Sequence, residues 1–207
     1  AVPVVSGSGL LLRTWSALGR VDPGHRASDV FTAAVNLPFP DGPSARYPDP
    51  DSIRRFQQTL ERELARAPQV GRVAWGNTVP LDGGAFAQNI RVAGTPRTDG
   101  PPQSASYNMV SPGYFQTLGI AVLRGRSFSV RDVTDGPPVC IVSEAFVRRY
   151  LGGREPLGTR IEVAAMAFGA QRPVVREIVG VVRQIRNAPA EDAPVPHLYV
   201  PIEQNAW

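Results

Sequence analysis

Apolar and polar positions alternate at helical spacing most clearly between residues 51 and 67. The apolar side chains recur every three or four positions and so share one face: Ile53, Phe56, Leu60 and Leu64. Asp49 followed by Pro50 is typical of an N-cap and a first helical residue, and Pro68 is a stop signal. The pattern therefore predicts an amphipathic helix over residues 51–67.

Extended apolar runs on either side of this helix predict strands at residues 30–37 and 70–77. Strand, helix and strand in that order predict a βαβ unit. Further strands are predicted at 86–93, 103–110, 138–142, 159–163, 174–185 and 197–200. The fold class that follows is α+β, with mixed small sheets and βαβ units.

Two short helices interrupt the later strands. The first is predicted to have Ser111 as its N-cap, Pro112 as its first residue and Gly119 as its stop. The second begins after Ser143 and ends at Gly152.

The order of the predicted elements suggests two lobes. An outer βαβ-containing lobe combines residues 21–80 with 172–207, and an inserted mixed α/β lobe covers residues 81–171.

The amino terminus has a pattern of its own. Residues 1–12 are apolar, but a membrane-spanning helix needs about 20 such residues. Arg13 and Trp15, types that favour a membrane–water boundary, follow directly. The pattern alone leaves two interpretations open, the outer end of a transmembrane helix and the start of an ordinary buried helix.

Composition adds that the chain is globular. It has 207 residues, of which 43% are hydrophobic and 19% charged, which is too apolar for a disordered chain. The net charge is +4, and all 22 basic residues are arginine. These arginines lie near acidic residues along the sequence, so we expect no nucleic-acid partner. Without lysine, no Walker-A loop and no Schiff-base lysine is possible.

Residues with catalytic potential are few and scattered. Cys140 lies in an apolar strand pattern and is interpreted as a buried thiol. His25 and His197 belong to no recognisable motif, and Asp132 and Asp135 share a loop in which acids are usually solvated. We therefore predict no catalytic residue, no metal site and no cofactor.

Four segments of the second half carry a resemblance to a known family. They are residues 110–120 (VSPGYFQTLGI), residues 123–128 (LRGRSF) with Asp132 just after, residues 139–158, and residues 177–182 followed by residues 198–201 and Gln204. In order and spacing they resemble the MacB-like periplasmic core domain of bacterial ABC-transporter permeases. The signature residues are Ser111, Pro112, Gly113, Tyr114, Phe115, Gly119, Gly125, Arg126, Phe128, Asp132, Pro156, Leu157, Gly158, Gly180 and Pro201.

The first half fits the same resemblance. Residues 9–24 resemble the exit from the first transmembrane helix in the large, often orphan, permeases of this group. The resemblance thus implies that residues 1–20 are the end of transmembrane helix 1 and that residues 21–207 are the periplasmic core domain. It also implies a further extended segment after Trp207. Within the motifs, Arg126 is predicted to reach the carboxylate of Asp132.

The function implied by the resemblance is mechanical. The domain would lie on the periplasmic side of the bacterial inner membrane and couple cytoplasmic ATP hydrolysis to export or extraction of a substrate. Its partners would be its own transmembrane helices, a second permease half, a cytoplasmic ABC ATPase and a periplasmic adaptor.

Other functions stay open at this stage. One is a ligand- or partner-binding module, including an FtsX-like domain that regulates a cell-envelope hydrolase. A secreted enzyme would require a nucleophile, a base and an acid that meet in space.

Overall fold

The computed structural model describes residues 24–26, 29–37, 46–47, 49–78, 80, 86–95, 102–133, 135–167, 170–186 and 193–204. The transmembrane end predicted at residues 1–20 lies outside them. The elements in chain order are α1 (Pro50–Ala65), β1 (Ala87–Val92), β2 (Gln103–Val110), α2 (Tyr114–Thr117), β3 (Val122–Gly125), β4 (Val139–Ser143), α3 (Glu144–Phe146) with a π-helical turn (Val147–Leu151), β5 (Arg160–Ala167), β6 (Ala170–Val182), β7 (His197–Pro201) and a 3₁₀ turn (Ile202–Gln204).

Within the described residues, seven strands form one mixed sheet in the order β3-β6-β4-β7-β2-β1-β5. Strand β5 also pairs with β6, so six of these strands close into a ring and β3 extends it at one edge of β6. The pairs β2–β7 and β4–β6 are parallel. The predicted α+β class with a mixed sheet is confirmed. The two-lobe division is not confirmed, because strands from both predicted lobes share this ring.

The core lies on both sides of the strands. On β4, Cys140 and Val142 face the first apolar cluster, while Val139 and Ile141 face the second. On β7, Leu198 and Val200 point to the first and Tyr199 to the second, as the two-residue period of a strand requires. We infer that the first cluster fills the ring and the second lies outside it.

The predicted amphipathic helix is confirmed as α1. Asp49 is its N-cap and forms a capping box with Ser52, whose backbone N–H donates to the Asp49 carboxylate at 2.7 Å. Pro50 is its first residue, and the helix ends at Ala65, two residues before the predicted end. The apolar face of α1 is only half-buried, and Leu64 is 40% exposed.

The predicted βαβ unit around α1 is wrong for the described residues. Residues 30–37 belong to no strand, and Phe31 is 93% exposed. Of residues 70–77, only Gly76 forms a bridge, to Val110 of β2. The hydrophobic pattern suits strands, but a strand also needs a neighbour for its backbone, and none of the described residues pairs with 30–37.

Candidate functional site: the aromatic platform and the β3–β6 junction

An aromatic group, which we call the platform, joins α2 to the outer side of the ring. It consists of Tyr114, Phe115, Phe128 and Tyr199. The ring of Phe115 lies 5.0 Å from Tyr199 and 6.0 Å from Phe128, measured between centroids. Phe115 is 1% exposed and Tyr199 fully buried. Helix α2 is only four residues long, so its position depends on these contacts rather than on helix propensity.

The start of α2 differs from the prediction. Gly113, not Ser111, is the N-cap, and Pro112 lies in the turn before the helix. The Ser111 hydroxyl instead accepts a hydrogen bond from the Trp75 backbone N–H at 3.0 Å, and the Ser111 N–H donates to the Trp75 carbonyl at 3.0 Å. Ser111 therefore ties the chain before α2 to residue 75. Gly119 follows the helix, as predicted.

A second group, the β3–β6 junction, is built around two facing glycines. Gly125 of β3 pairs with Gly180 of β6, and the next residue, Arg126, donates its backbone N–H to the Val179 carbonyl at 3.0 Å. A Cβ at Gly125 would lie 2.2 Å from the Val179 oxygen. A Cβ at Gly180 would lie 2.3 Å from the Arg126 oxygen. The two backbones thus meet too closely for a side chain at either position.

The Pro156–Gly158 segment closes the junction from the β5 side. Pro156 is buried, and the Gly158 N–H donates to the Ile178 carbonyl of β6 at 2.9 Å. The Leu157 side chain covers Gly125, with its Cδ2 only 2.8 Å from where a Cβ would be. Three motifs that are distant in sequence therefore converge on β6.

The predicted contact between Arg126 and Asp132 is present and completes the junction. The guanidinium donates to both carboxylate oxygens at 2.8 Å, and the Ser129 backbone N–H adds a third bond at 2.7 Å. Burial of Asp132, whose side chain is 7% exposed, would raise its pKa. The bonds from Arg126 and Ser129 outweigh burial, so the pKa of Asp132 is lowered and the carboxylate stays ionised.

Asp132→Asn is expected to lower the free energy of unfolding by about 2 kcal/mol, because the amide loses the charge and one acceptor for Arg126. The carboxylate stabilises the fold above its unfolded-state pKa, and this contribution disappears as the pH falls through the lowered folded-state pKa. The variant should therefore lose less stability in acid, as urea titrations at several pH values would show. Glu155→Gln, which removes the exposed partner of Arg124, is the control and should change stability less.

The platform and the junction meet through Phe128. This residue follows Arg126 by two positions and packs on Phe115. Pro201 pairs with Val110 where β7 lies beside β2, directly before the turn into α2. Several signature residues therefore contact one another, with Phe115 against Phe128 at the platform and Gly125 against Leu157 and Gly180 at the junction.

Two of the residues considered for catalysis, Cys140 and His197, are buried. The Cys140 thiol is fully buried, and burial raises its pKa to about 12, so it stays protonated at neutral pH. This confirms the prediction of a buried thiol. His197 is also fully buried, and burial lowers its pKa to about 4. Its ring stacks on Tyr199, and its Nδ1 lies 3.4 Å from the Asn108 side-chain nitrogen.

Acid is expected to destabilise the fold through His197. The unfolded chain takes up a proton near the usual pKa of 6.5, whereas the folded imidazole does so only near 4. The free energy of unfolding should therefore fall by about 3 kcal/mol between these two pH values. Chemical denaturation of His197→Phe should show a flatter pH dependence over this range. Equal slopes in the wild type and the variant would contradict the assignment.

Sequence reasoning missed Arg176, which is 1% exposed on β6. Its guanidinium donates to the Val139 carbonyl at 3.3 Å and to Gln204. One signal was available: Arg176 has the same strand parity as Ile178, which lies in the first core cluster. The burial of Arg176 depends on the closure of the ring, which the sequence pattern does not predict.

The described residues contain no group of three or more histidine, cysteine or acidic side chains that could hold a metal ion. No helix among them is long and apolar enough to cross a membrane.

The fold and the signature residues together define an α+β domain in which the motif residues hold strands and loops to one another. The chain belongs to the MacB-like periplasmic core domain family, whose family model matches residues 15–206. This confirms the resemblance drawn from the four segments. The family is described as a periplasmic domain, which places the chain outside the cytoplasm.

Two solved structures illustrate the similarity. The periplasmic region of MacB from Actinobacillus actinomycetemcomitans is 16% identical with a TM-score of 0.47, and the match covers 71% of this chain and 55% of that one. The extracellular domain of the noncanonic ABC-type transporter YknZ from Gram-positive bacteria is 20% identical with a TM-score of 0.45, and covers 70% and 62%. The match thus spans less than two thirds of either solved chain. A comparison with curated proteins finds no match.

Proposed function

We propose that this chain is the extracytoplasmic domain of an ABC-transporter permease that couples cytoplasmic ATP hydrolysis to a conformational change outside the membrane. The change would export or extract a substrate. The observation that carries the proposal is the family match over residues 15–206. The partners are the protein's own transmembrane helices, a second permease half, a cytoplasmic ABC ATPase and a periplasmic adaptor. Residues 1–20 would connect the first transmembrane helix to the domain.

The ring of strands supports a mechanical role. A closed ring pairs each of its six strands on both sides, so a displacement applied at one strand is passed to the others through backbone hydrogen bonds. The junction links this ring to the loop after β3 by the Arg126–Asp132 pair. The domain would therefore move largely as one body when the membrane helices move.

We further propose that the domain itself is non-catalytic and binds no cofactor. The burial of Cys140 and His197 supports this, because neither group can reach a substrate from the surface. The charge distribution supports the absence of a nucleic-acid partner. Several arginines are already paired with carboxylates within the domain, including Arg54, Arg91 and Arg124.

The location can be tested on the full-length permease with a single surface cysteine. Arg148 is exposed on the turn after α3, so Arg148→Cys should react with a membrane-impermeant maleimide added to intact spheroplasts. Cys140 is the internal control, since its buried thiol should react only after unfolding. Reaction of Arg148→Cys only after the membrane is permeabilised would contradict the proposal.

A strain that lacks the permease separates transport from regulation. If the permease moves a substrate, loss of the permease should abolish export and leave cell-wall hydrolysis unchanged. If it is FtsX-like, removal should instead lower the activity of a cell-envelope hydrolase. The second result would keep the extracytoplasmic location but replace export by regulation.

A further inference from the structure

The side chain of Gln204 occupies a crowded position at the end of the described chain. It lies in the 3₁₀ turn after β7, and its Oε1 accepts from the Val139 N–H at 3.1 Å and from Arg176 Nη1 at 3.0 Å. Its Nε2 donates to the Val133 carbonyl at 3.2 Å and to the Pro137 carbonyl at 2.9 Å. The carboxamide therefore makes four hydrogen bonds.

These bonds connect two different parts of the domain. Val139 and Arg176 belong to β4 and β6 of the ring, whereas Val133 and Pro137 belong to the loop between β3 and β4. The Arg126–Asp132 pair holds the first part of that loop. Gln204 holds its second part, where Val133 is 44% exposed.

We propose that Gln204 is a latch through which the position of the turn after β7 controls the order of Val133 and of residues 135–138. A carboxamide suits this role because it presents two acceptor lone pairs toward the ring and two N–H groups toward the loop. Displacement of the turn breaks both sets of bonds at once. The Arg126–Asp132 pair stays closed, so the second part of the loop is released while the first part remains in place.

Arg176 makes the ring side of the latch strong. Its buried guanidinium forms no ion pair with any carboxylate of the described residues, and Gln204 provides two of its acceptors, the Oε1 and the backbone carbonyl at 3.3 Å from Nη2. A hydrogen bond to a charged, buried donor is stronger than one between neutral groups. The bonds from Gln204 to the ring are therefore the stronger set, and its bonds to the two loop carbonyls are the weaker set.

Two variants separate the two sides of the latch. Gln204→Glu keeps an acceptor for Val139 and Arg176 but replaces the two donors by a carboxylate that repels the loop carbonyls. Gln204→Leu removes both sides. Asp135→Asn is the matched control, because Asp135 is exposed in the same loop and takes part in none of the four side-chain hydrogen bonds of Gln204.

The readout is amide hydrogen exchange of the 207-residue chain, resolved at Gly136, whose N–H donates to the Val133 carbonyl, and at Val139. In Gln204→Glu, exchange at Gly136 should become about five- to tenfold faster while Val139 stays protected. In Gln204→Leu both should become faster, and in Asp135→Asn neither.

Two results would overturn the latch. One is exchange at Gly136 within twofold of the wild type in Gln204→Glu. The other is an equal acceleration throughout β1 and β5, which would make Gln204 a general stability residue. If Gln204→Leu does not fold, the Gln204→Glu result decides alone. The test needs no ATPase or membrane, so its failure would leave the proposed transport function untouched.

Discussion

Gly125→Ala is expected to destabilise the domain strongly, because the added methyl group would collide with the backbone of β6. Gly125 has a φ of 71°, and an added Cβ would lie 2.2 Å from the Val179 carbonyl oxygen, which is part of the β6 backbone. Strain in the left-handed region costs about 1–2 kcal/mol, and overpacking against backbone adds about 1–3 kcal/mol. Together they should lower the free energy of unfolding by about 2–5 kcal/mol, measured by urea denaturation.

Gly158→Ala is the matched control for this experiment. Gly158 also has a positive φ, of 80°, but no atom lies within 4 Å of its Cβ position. Only the backbone strain remains, so the loss should be about 1–2 kcal/mol. Equal losses at the two glycines would show that the close contact of β3 with β6 is absent, and with it the convergence of the motifs on β6.

Phe115→Ala is expected to cost about 3–5 kcal/mol of unfolding free energy, because it leaves a cavity among Tyr114, Phe128 and Tyr199. The loss should appear as a lower urea midpoint and, in near-ultraviolet circular dichroism, as a weaker tyrosine signal. Helix α2 has no other large anchor than Phe115 and Tyr114 on its first turn, so it should detach from the ring.

Two further variants serve as controls for the stability loss in Phe115→Ala. Gln116→Ala, at an exposed position of the same helix, should change stability by less than about 0.5 kcal/mol. Phe115→Leu should recover about half of the loss, since it refills part of the cavity. A Phe115→Ala variant as stable as Gln116→Ala would mean that α2 does not pack on the ring.

Local signals in the sequence predicted local structure well. The Asp49 cap of α1, the Ser143 cap of α3 and the Arg126–Asp132 pair each involve residues no more than six positions apart. Their geometry is limited by the short connecting chain, so composition and spacing were enough. The strands β1, β2, β4 and β7 were also predicted within one residue of their observed ends.

Long-range pairing could not be predicted in the same way. The ring depends on which strands meet, for example β2 with β7 and β1 with β5, and a hydrophobic pattern carries no information on the partner. Residues 30–37 show the converse error, because their pattern suits a strand that has no partner among the described residues. The contacts of Gly125 with Leu157 and with Gly180 could likewise not be predicted, because they depend on the pairing of β3 with β6.

The motifs gave the identity of the signature residues, but only the structure gave their roles. Ser111 was expected to cap α2 and instead bonds to residue 75, since the turn Pro112–Gly113 lies between it and the helix. Gln204 lies in the fourth segment of the family resemblance, but the sequence predicted no role for it. Its four side-chain hydrogen bonds indicate one.

The central claim, that this domain moves as the ATPase passes through its cycle, is tested most directly by the rate of Arg148→Cys labelling in the reconstituted full-length permease. The impermeant maleimide would be added on the domain side, with the cognate ATPase and ATP on the other side. An ATPase variant unable to hydrolyse ATP is the control. The account predicts a labelling rate that changes with ATP and not in the control. A rate that is the same with and without ATP, in a preparation that hydrolyses it, would contradict the account.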